Sequence, residues 1–151
     1  MSSPSIFSFA DVVGSITNPL VPPFFFSGQL GVGHFTIGYS TERTVKNVAA
    51  DGAVMMSAIL GDDGTFSVEA QQTSTIDSYL LNLFNLLVTL QQNRDVSNWA
   101  TTNIQIQSVT NATQHVLSGV AFTKPPDYPY GKEGALITWN FMVANVVSTS
   151  L

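Results

Sequence analysis

Hydrophobic and polar positions alternate along several stretches of the chain, and in one stretch they recur with a helical period. Residues Thr65 to Gln71 alternate cleanly: Phe66, Val68 and Ala70 fall on one face, Thr65, Ser67, Glu69 and Gln71 on the other. His34 to Tyr39, Ile104 to Val109, His115 to Lys124 and Leu136 to Val147 also read as strands; Ile137, Trp139, Phe141 and Val143 share one side of the last. Val54 to Leu60 is a shorter apolar run. It leads through Gly61-Asp62-Asp63-Gly64 into the alternating run, so residues 53–72 read as a hairpin with a Gly-rich tip.

Between Ser74 and Asn93 the period changes. Ile76, Tyr79, Leu80, Leu83, Phe84, Leu87 and Leu90 follow a helical stripe, with Leu81, Leu86 and Val88 at its flanks. At about 100° per residue the apolar arc spans about 220°, wider than a surface helix needs. Ser74 or Thr73 is placed to cap this helix, and Asp77 lies in the first turn, where the helix dipole favours an acid. The order of strands, one helix, then more strands predicts an α+β domain, mainly antiparallel β, with one flanking α-helix at about 74–93. With 151 residues the chain is expected to be a single domain.

Two segments lack a clear period. Residues 40–52 are polar, hold Glu42, Arg43 and Lys46, and read as a long loop or a loose hairpin. Residues 18–26 contain Asn18-Pro19 and Pro22-Pro23 before Phe24-Phe25-Phe26. Proline removes ladder donors, so this Pro/Phe-rich stretch reads as a loop or an edge segment.

Composition adds the surface. Charged residues make up 10% of the chain, against about 25% in ordinary soluble domains, while hydrophobic residues make up 44%. A small monomer normally covers itself with Lys and Glu. A chain this poor in charge is expected to meet other protein over much of its surface. The net charge of −5 argues against a phosphate grip, which needs lysine and arginine. The first residues have neither a basic start nor a long apolar run, so no signal peptide is expected, and no stretch is long enough for a membrane span.

Candidate chemistry is sparse. There is no cysteine, which excludes disulfides and thiolate metal sites. His34 and His115 lie in separate strand patterns without metal-site spacing and are expected to be structural. Gly31-Val32-Gly33 is not a dinucleotide fingerprint, and Asp62-Asp63 is expected to turn the chain rather than hold calcium. Asn111-Ala112-Thr113 fits a glycosylation sequon but reads as a turn. No catalytic constellation is visible, so neither an enzyme nor a cofactor is expected.

One ordered set of motifs remains. Asp51-Gly52 is followed by Gly61-Asp62-Asp63-Gly64, then by Gln71-Gln72-Thr73-Ser74 leading into the helix. Gly119 to Asp127, with Phe122, Lys124 and Pro125-Pro126, precedes Tyr130-Gly131, and Trp139 follows in the last strand. Over residues 8–147 this arrangement resembles the tail tube proteins of contractile-tailed bacteriophages; it departs from them in the apolar Pro/Phe stretch at 19–26.

The resemblance implies a tail-tube-type β-sandwich or barrel. It also implies homohexameric rings, stacked into a tube through which DNA passes without specific binding. Tail sheath, baseplate and terminator proteins are the further partners it implies, with assembly in the bacterial cytoplasm and a place in the virion tail. On this reading Thr65, Ser67, Glu69 and Gln71 are expected to face the channel. The loop with Glu42, Arg43 and Lys46 is expected to stack rings, and Phe24, Phe25, Leu81, Leu86 and Val88 to make apolar contacts between subunits. Alternatives of other classes are a tube-initiator or baseplate-hub protein, the tube of a tailocin or secretion-like particle, and a secreted β-sandwich binding module.

Overall fold

The computed structural model describes residues 4, 6–28, 31–110 and 112–150. A 3-10 turn at Phe9–Asp11 leads into β1 (Val12–Asn18), β2 (Val21–Ser27) and β3 (Val32–Tyr39). Then come β4 (Thr44–Val48), β5 (Val54–Ala58), β6 (Gly64–Gln71), the helix α1 (Thr75–Gln92), β7 (Thr102–Ser108), β8 (Thr113–Lys124) and β9 (Leu136–Ser150). Seven strands form one sheet in the order β2-β1-β7-β8-β9-β6-β3, antiparallel at every pairing. β4 and β5 form a separate two-stranded ribbon. Asn111 of the sequon lies outside the described residues.

The sheet curls until its two edges face one another. Phe26 of β2 and Phe35 of β3 lie 5.1 Å apart between ring centroids, although five strands separate them in the sheet. The inner face carries the core: Phe66, Val68, Leu117, Val120, Ile137, Trp139 and Phe141 are almost fully buried. Period-2 alternation puts them there, because every second side chain of a strand points inward.

α1 packs on this inner face. Ile76, Leu80, Leu83 and Leu87 are buried, each contributing about 2 kcal/mol. Phe84 meets Phe122 at 5.4 Å and Trp139 at 6.4 Å, while Tyr79 stacks on Phe24 at 4.7 Å and donates a hydrogen bond to the Pro22 carbonyl at 2.9 Å. Ser74 caps the helix by accepting from the Asp77 N–H at 3.4 Å.

Asp77 itself is buried, and its role exceeds that of a first-turn acid. Its Oδ1 accepts from Trp139 Nε1 at 2.9 Å and from the Tyr128 hydroxyl at 3.1 Å. Gln72 adds a second clamp: its Nε2 donates to the Pro129 carbonyl at 3.2 Å, and its Oε1 accepts from the Ala135 N–H at 3.4 Å. The 125–135 loop is therefore tied to the helix start from both sides.

One expectation needs correction, and two open readings are settled. Residues 53–72 are not a hairpin: β5 pairs with β4, and β6 pairs with β3 and β9. The Gly-rich segment 61–64 is a crossing between two sheets, where the Cβ of any residue replacing Gly64 would sit 2.2 Å from the Gly38 carbonyl oxygen. The 40–52 loop is correspondingly half of a ribbon, with β4 in it and a turn closed by Gly52 N–H to the Ala49 carbonyl. Of the loop and edge readings of the Pro/Phe-rich stretch at 18–26, the edge is what most of it forms: Asn18 ends β1, Pro19 and Leu20 turn the chain, and β2 is an edge strand with Pro22 and Pro23 exposed where no neighbouring strand needs their donors.

Replacing Asp77 with Ala leaves the buried Trp139 N–H without its acceptor. Asp77→Ala is expected to cost about 3 kcal/mol, measured by urea unfolding. Burial and the neighbouring Asp77 carboxylate push the Tyr128 hydroxyl up to about 12 from an ordinary 10.0. The neutral phenol is thus favoured in the folded state. Its contribution is complete below pH 10 and is lost as the pH rises through about 12, and a titration of tyrosinate absorbance checks this.

Candidate assembly surfaces

The outer face of β3, β6, β9 and the end of β8 is built by the same alternation that fills the core. Strand register assembles its side chains into cross-strand rows. One row runs Gly38, Thr65, Met142, Ala121; the next runs Thr36, Ser67, Asn140, with Lys124 at its margin. A third runs His34, Glu69, Thr138, and Gln71 lies opposite Leu136. Thr65, Ser67, Glu69 and Gln71 do share one face, and none of them is buried. Thr36, Thr138 and Asn140 belong to the same surface; sequence alone did not single them out, because only strand register reveals who stands beside whom.

This face is polar but nearly uncharged. Glu69 is the acid in its rows, and its Oε2 lies 3.4 Å from His34 Nδ1. Hydroxyls and amides make up most of the rest. Apart from Lys124 at its margin, such a surface does not present the positive charge that holds a phosphate backbone.

The β4–β5 ribbon is the second surface. Every residue in both strands is exposed, including Val45, Val48, Val54, Met55 and Met56. Leu60, just after it, is 94% exposed. A two-stranded ribbon with apolar side chains on both faces is marginal in water by itself. Arg43 pairs with Asp62 at its base, and Asp63 Oδ1 accepts from Thr41 Oγ1 at 2.6 Å. The acids at 62–63 are thus engaged in anchoring the ribbon. Glu42 and Lys46 are exposed.

The five apolar contact candidates divide. Phe24 and Leu81 are half-buried and pack in part against the chain's own core. The Phe24 ring is taken up by Tyr79. Phe25 is 74% exposed and stands over a shallow groove of about 470 Å³ lined by Val13, Gly14, Gln105 and Gln107. Leu86 and Val88 are half-buried.

The histidines are apart from any metal-type cluster. Among the described residues no three His, Asp or Glu side chains converge. His115 Nδ1 is 2.7 Å from Ser148 Oγ, which also accepts from the Tyr39 hydroxyl at 3.1 Å, and burial lowers the His115 pKa. Among the described residues no helix is long and apolar enough to cross a membrane.

The sequence profile of the bacteriophage PhiTE tail tube proteins matches residues 4–149. The chain belongs to this tail tube family. No curated protein matches it.

Solved structures agree with the tail tube assignment at the level of fold. A chain of the anti-feeding prophage baseplate, described as 6-fold symmetrised, superposes with a TM-score of 0.65 at 13% identity, covering 99% of this chain and 98% of that one. A chain of the PVC sheath-tube complex, an extracellular contractile injection system in its extended state, gives 0.57 at 12% identity over 97% and 93%. A chain of the PVC sheath/tube terminator gives 0.57 at 12% over 99% and 100%. The tail tube fold spans both chains end to end in each case.

Proposed function

We propose that this protein is the major tail tube subunit of a contractile-tailed phage, forming stacked hexameric rings around a channel for the genome. Membership of the tail tube family over residues 4–149 carries this reading. The six-fold symmetry of the baseplate structure that shares its fold supports the ring.

The outer face supplies a channel lining of the right character. Four strands per copy, β3, β6, β9 and the end of β8, contribute to one barrel. At about 4.8 Å per strand, six copies close a barrel about 37 Å across between backbones before any tilt. Side chains narrow it to about 25 Å. Thr65, Ser67, Glu69 and Gln71, with Thr36, Thr138 and Asn140, then face the passing DNA. One acid per copy repels phosphate, and neutral hydroxyls and amides slide past it.

The β4–β5 ribbon stacks rings on one another, with Glu42 and Lys46 beside its apolar side chains. Phe25, Leu86 and Val88 are left for contacts between subunits. Sheath, baseplate and terminator proteins are the partners of such a tube, and the virion tail is its location.

A second reading is a tube-initiator or baseplate-hub protein that makes a single ring. The higher TM-score to the baseplate chain, 0.65 against 0.57, favours keeping it. Electron microscopy of purified protein across concentration separates the two. Long hollow tubes support the major tube subunit, single rings the initiator, and persistent monomers even with a baseplate seed sink both.

Glu69→Lys is expected to leave the fold within about 0.5 kcal/mol of wild type, because the side chain is on the surface. In assembled tails it is expected to slow genome ejection, measured by dye-detected DNA release; normal release would overturn the channel assignment of β6. Replacing both Met55 and Met56 with Glu is expected to leave the free subunit's melting unchanged and to shorten tubes to isolated rings in micrographs. Tubes of normal length would remove the ribbon from ring stacking.

A further inference from the structure

We infer that Tyr39, Ser148 and His115 form a proton-sensitive latch: while His115 is neutral it holds the end of β3 against β8 and β9, and protonation of His115 releases that end.

The latch crosses an opening in the curl. Among the described residues β3 has one strand partner, β6. Across the curl it faces β7 and the start of β8, and a cleft of about 550 Å³ lies between them, lined by Phe7, Phe9, Phe35, Ile37, Ile106 and His115 with a few neighbours. Ring contacts from Phe9 at 5.3 Å and Phe26 at 5.1 Å hold the strand at Phe35. Four residues on, Tyr39 reaches across. Its hydroxyl donates to Ser148 Oγ at 3.1 Å, and Ser148 Oγ lies 2.7 Å from His115 Nδ1. His115 and Ser148 are register partners in β8 and β9. One side-chain relay thus ties the last residue of β3 to two strands with which it does not pair.

The relay has a direction. Ser148 accepts from Tyr39 and keeps its own hydrogen to give, and the acceptor within reach is His115 Nδ1. That assignment uses every hydrogen and requires a bare Nδ1, so His115 is the neutral tautomer with its proton on Nε2. Protonating Nδ1 sets a second hydrogen on the same short contact. Ser148 must then turn its own hydrogen away.

The surroundings do not compensate the new charge. No Asp, Glu, Lys or Arg lines the cleft. β3 contributes Tyr39 and His34, the latter beside Glu69; β7 contributes Ile106 and Ser108, β9 contributes Ser148, and the segment before β1 contributes Phe7 and Phe9. Charging both histidines would place two cations along one apolar cleft. Burial holds the His115 pKa below its ordinary 6.5. The stability that neutral His115 adds is therefore complete above pH 6.5 and is lost as the pH falls through the lower folded value. The chain leaves Tyr39 for the β4–β5 ribbon, and the Ser40 N–H donates to the Asp63 carbonyl at 3.0 Å. Release of the latch loosens the strand from which the ribbon springs.

Hydrogen exchange on the dilute, unassembled chain tests this without any need for rings. Protection of the amides from Ile37 to Ser40 is expected to fall about fivefold between about pH 7.5 and about pH 5, the loss of one exposed hydrogen-bonded tie. His115→Gln keeps an acceptor for Ser148 and cannot titrate, so its protection is expected to stay level over the same range. Ser148→Ala severs the relay and is expected to be poorly protected at both pH values. His34→Gln is expected to respond as the wild type does. Equal losses in wild type and His115→Gln overturn the latch, and a response abolished by His34→Gln alone overturns the assignment to His115.

An NMR titration of the unmodified chain gives a readout free of any folding defect. The His115 ring and the Tyr39 amide are expected to shift together, with one midpoint below 6.5. Separate midpoints, or a Tyr39 amide that does not move, overturn the latch.

Discussion

The buried carboxylate of Asp77 holds together the parts on which the rest of the fold depends. It sits in the first turn of α1, accepts from the indole of Trp139 in β9, and accepts from Tyr128 in the loop that precedes β9. A buried charge is costly unless hydrogen bonds satisfy it, and here they come from two other segments of the chain. The helix is thereby fixed in position over the sheet. With the helix fixed, Phe84 meets Trp139 and Phe122, Tyr79 reaches β2, and the curled sheet has a filling. The Gln-Gln-Thr-Ser stretch before the helix works in the same place: Gln72 holds the loop and Ser74 caps the first turn.

The outer face is the complement of that core. Once every second residue of β6 and β9 is committed inward, the intervening residues are free to suit a different purpose, and most are threonine, serine, asparagine and glutamine, with Glu69, Leu136 and Met142 among them. The small number of charges follows from the same division. Much of the described surface is polar sheet face or exposed apolar ribbon, and neither needs many charges.

Much of this was legible in the sequence, and the reasons for the exceptions are physical. The helix was readable to within a residue because seven apolar side chains keep one period and Ser74 is a capping residue. β6 and β9 were readable because one face of each is buried, so alternation marks them. β4 escaped notice because both of its faces are exposed, and a strand that buries neither face leaves no alternation to read. That silence made β5 look like the partner of β6, with the glycines at 61 and 64 imitating a turn. The channel candidates of β6 were found on one face, but their cross-strand neighbours on β3 and β9 required register, which no local pattern contains. A run of three phenylalanines does not tell which ring a helix will stack on, and here Tyr79 stacks on Phe24.

β8 and β9 are long, and each borders strands from both parts of the curled sheet. β9 runs beside β6 over residues 136–143 and stays beside β8 to its end, while β8 runs beside β7 until Val120. Gly119 eases the change of direction; its φ is +66°, and a Cβ there would come within 2.7 Å of the Ala144 Cβ. The two halves of the domain are consequently continuous through the main chain and are not merely pressed together by side chains. A force along β8 and β9 would load covalent backbone and ladder hydrogen bonds in shear, the mode in which antiparallel strands resist pulling best.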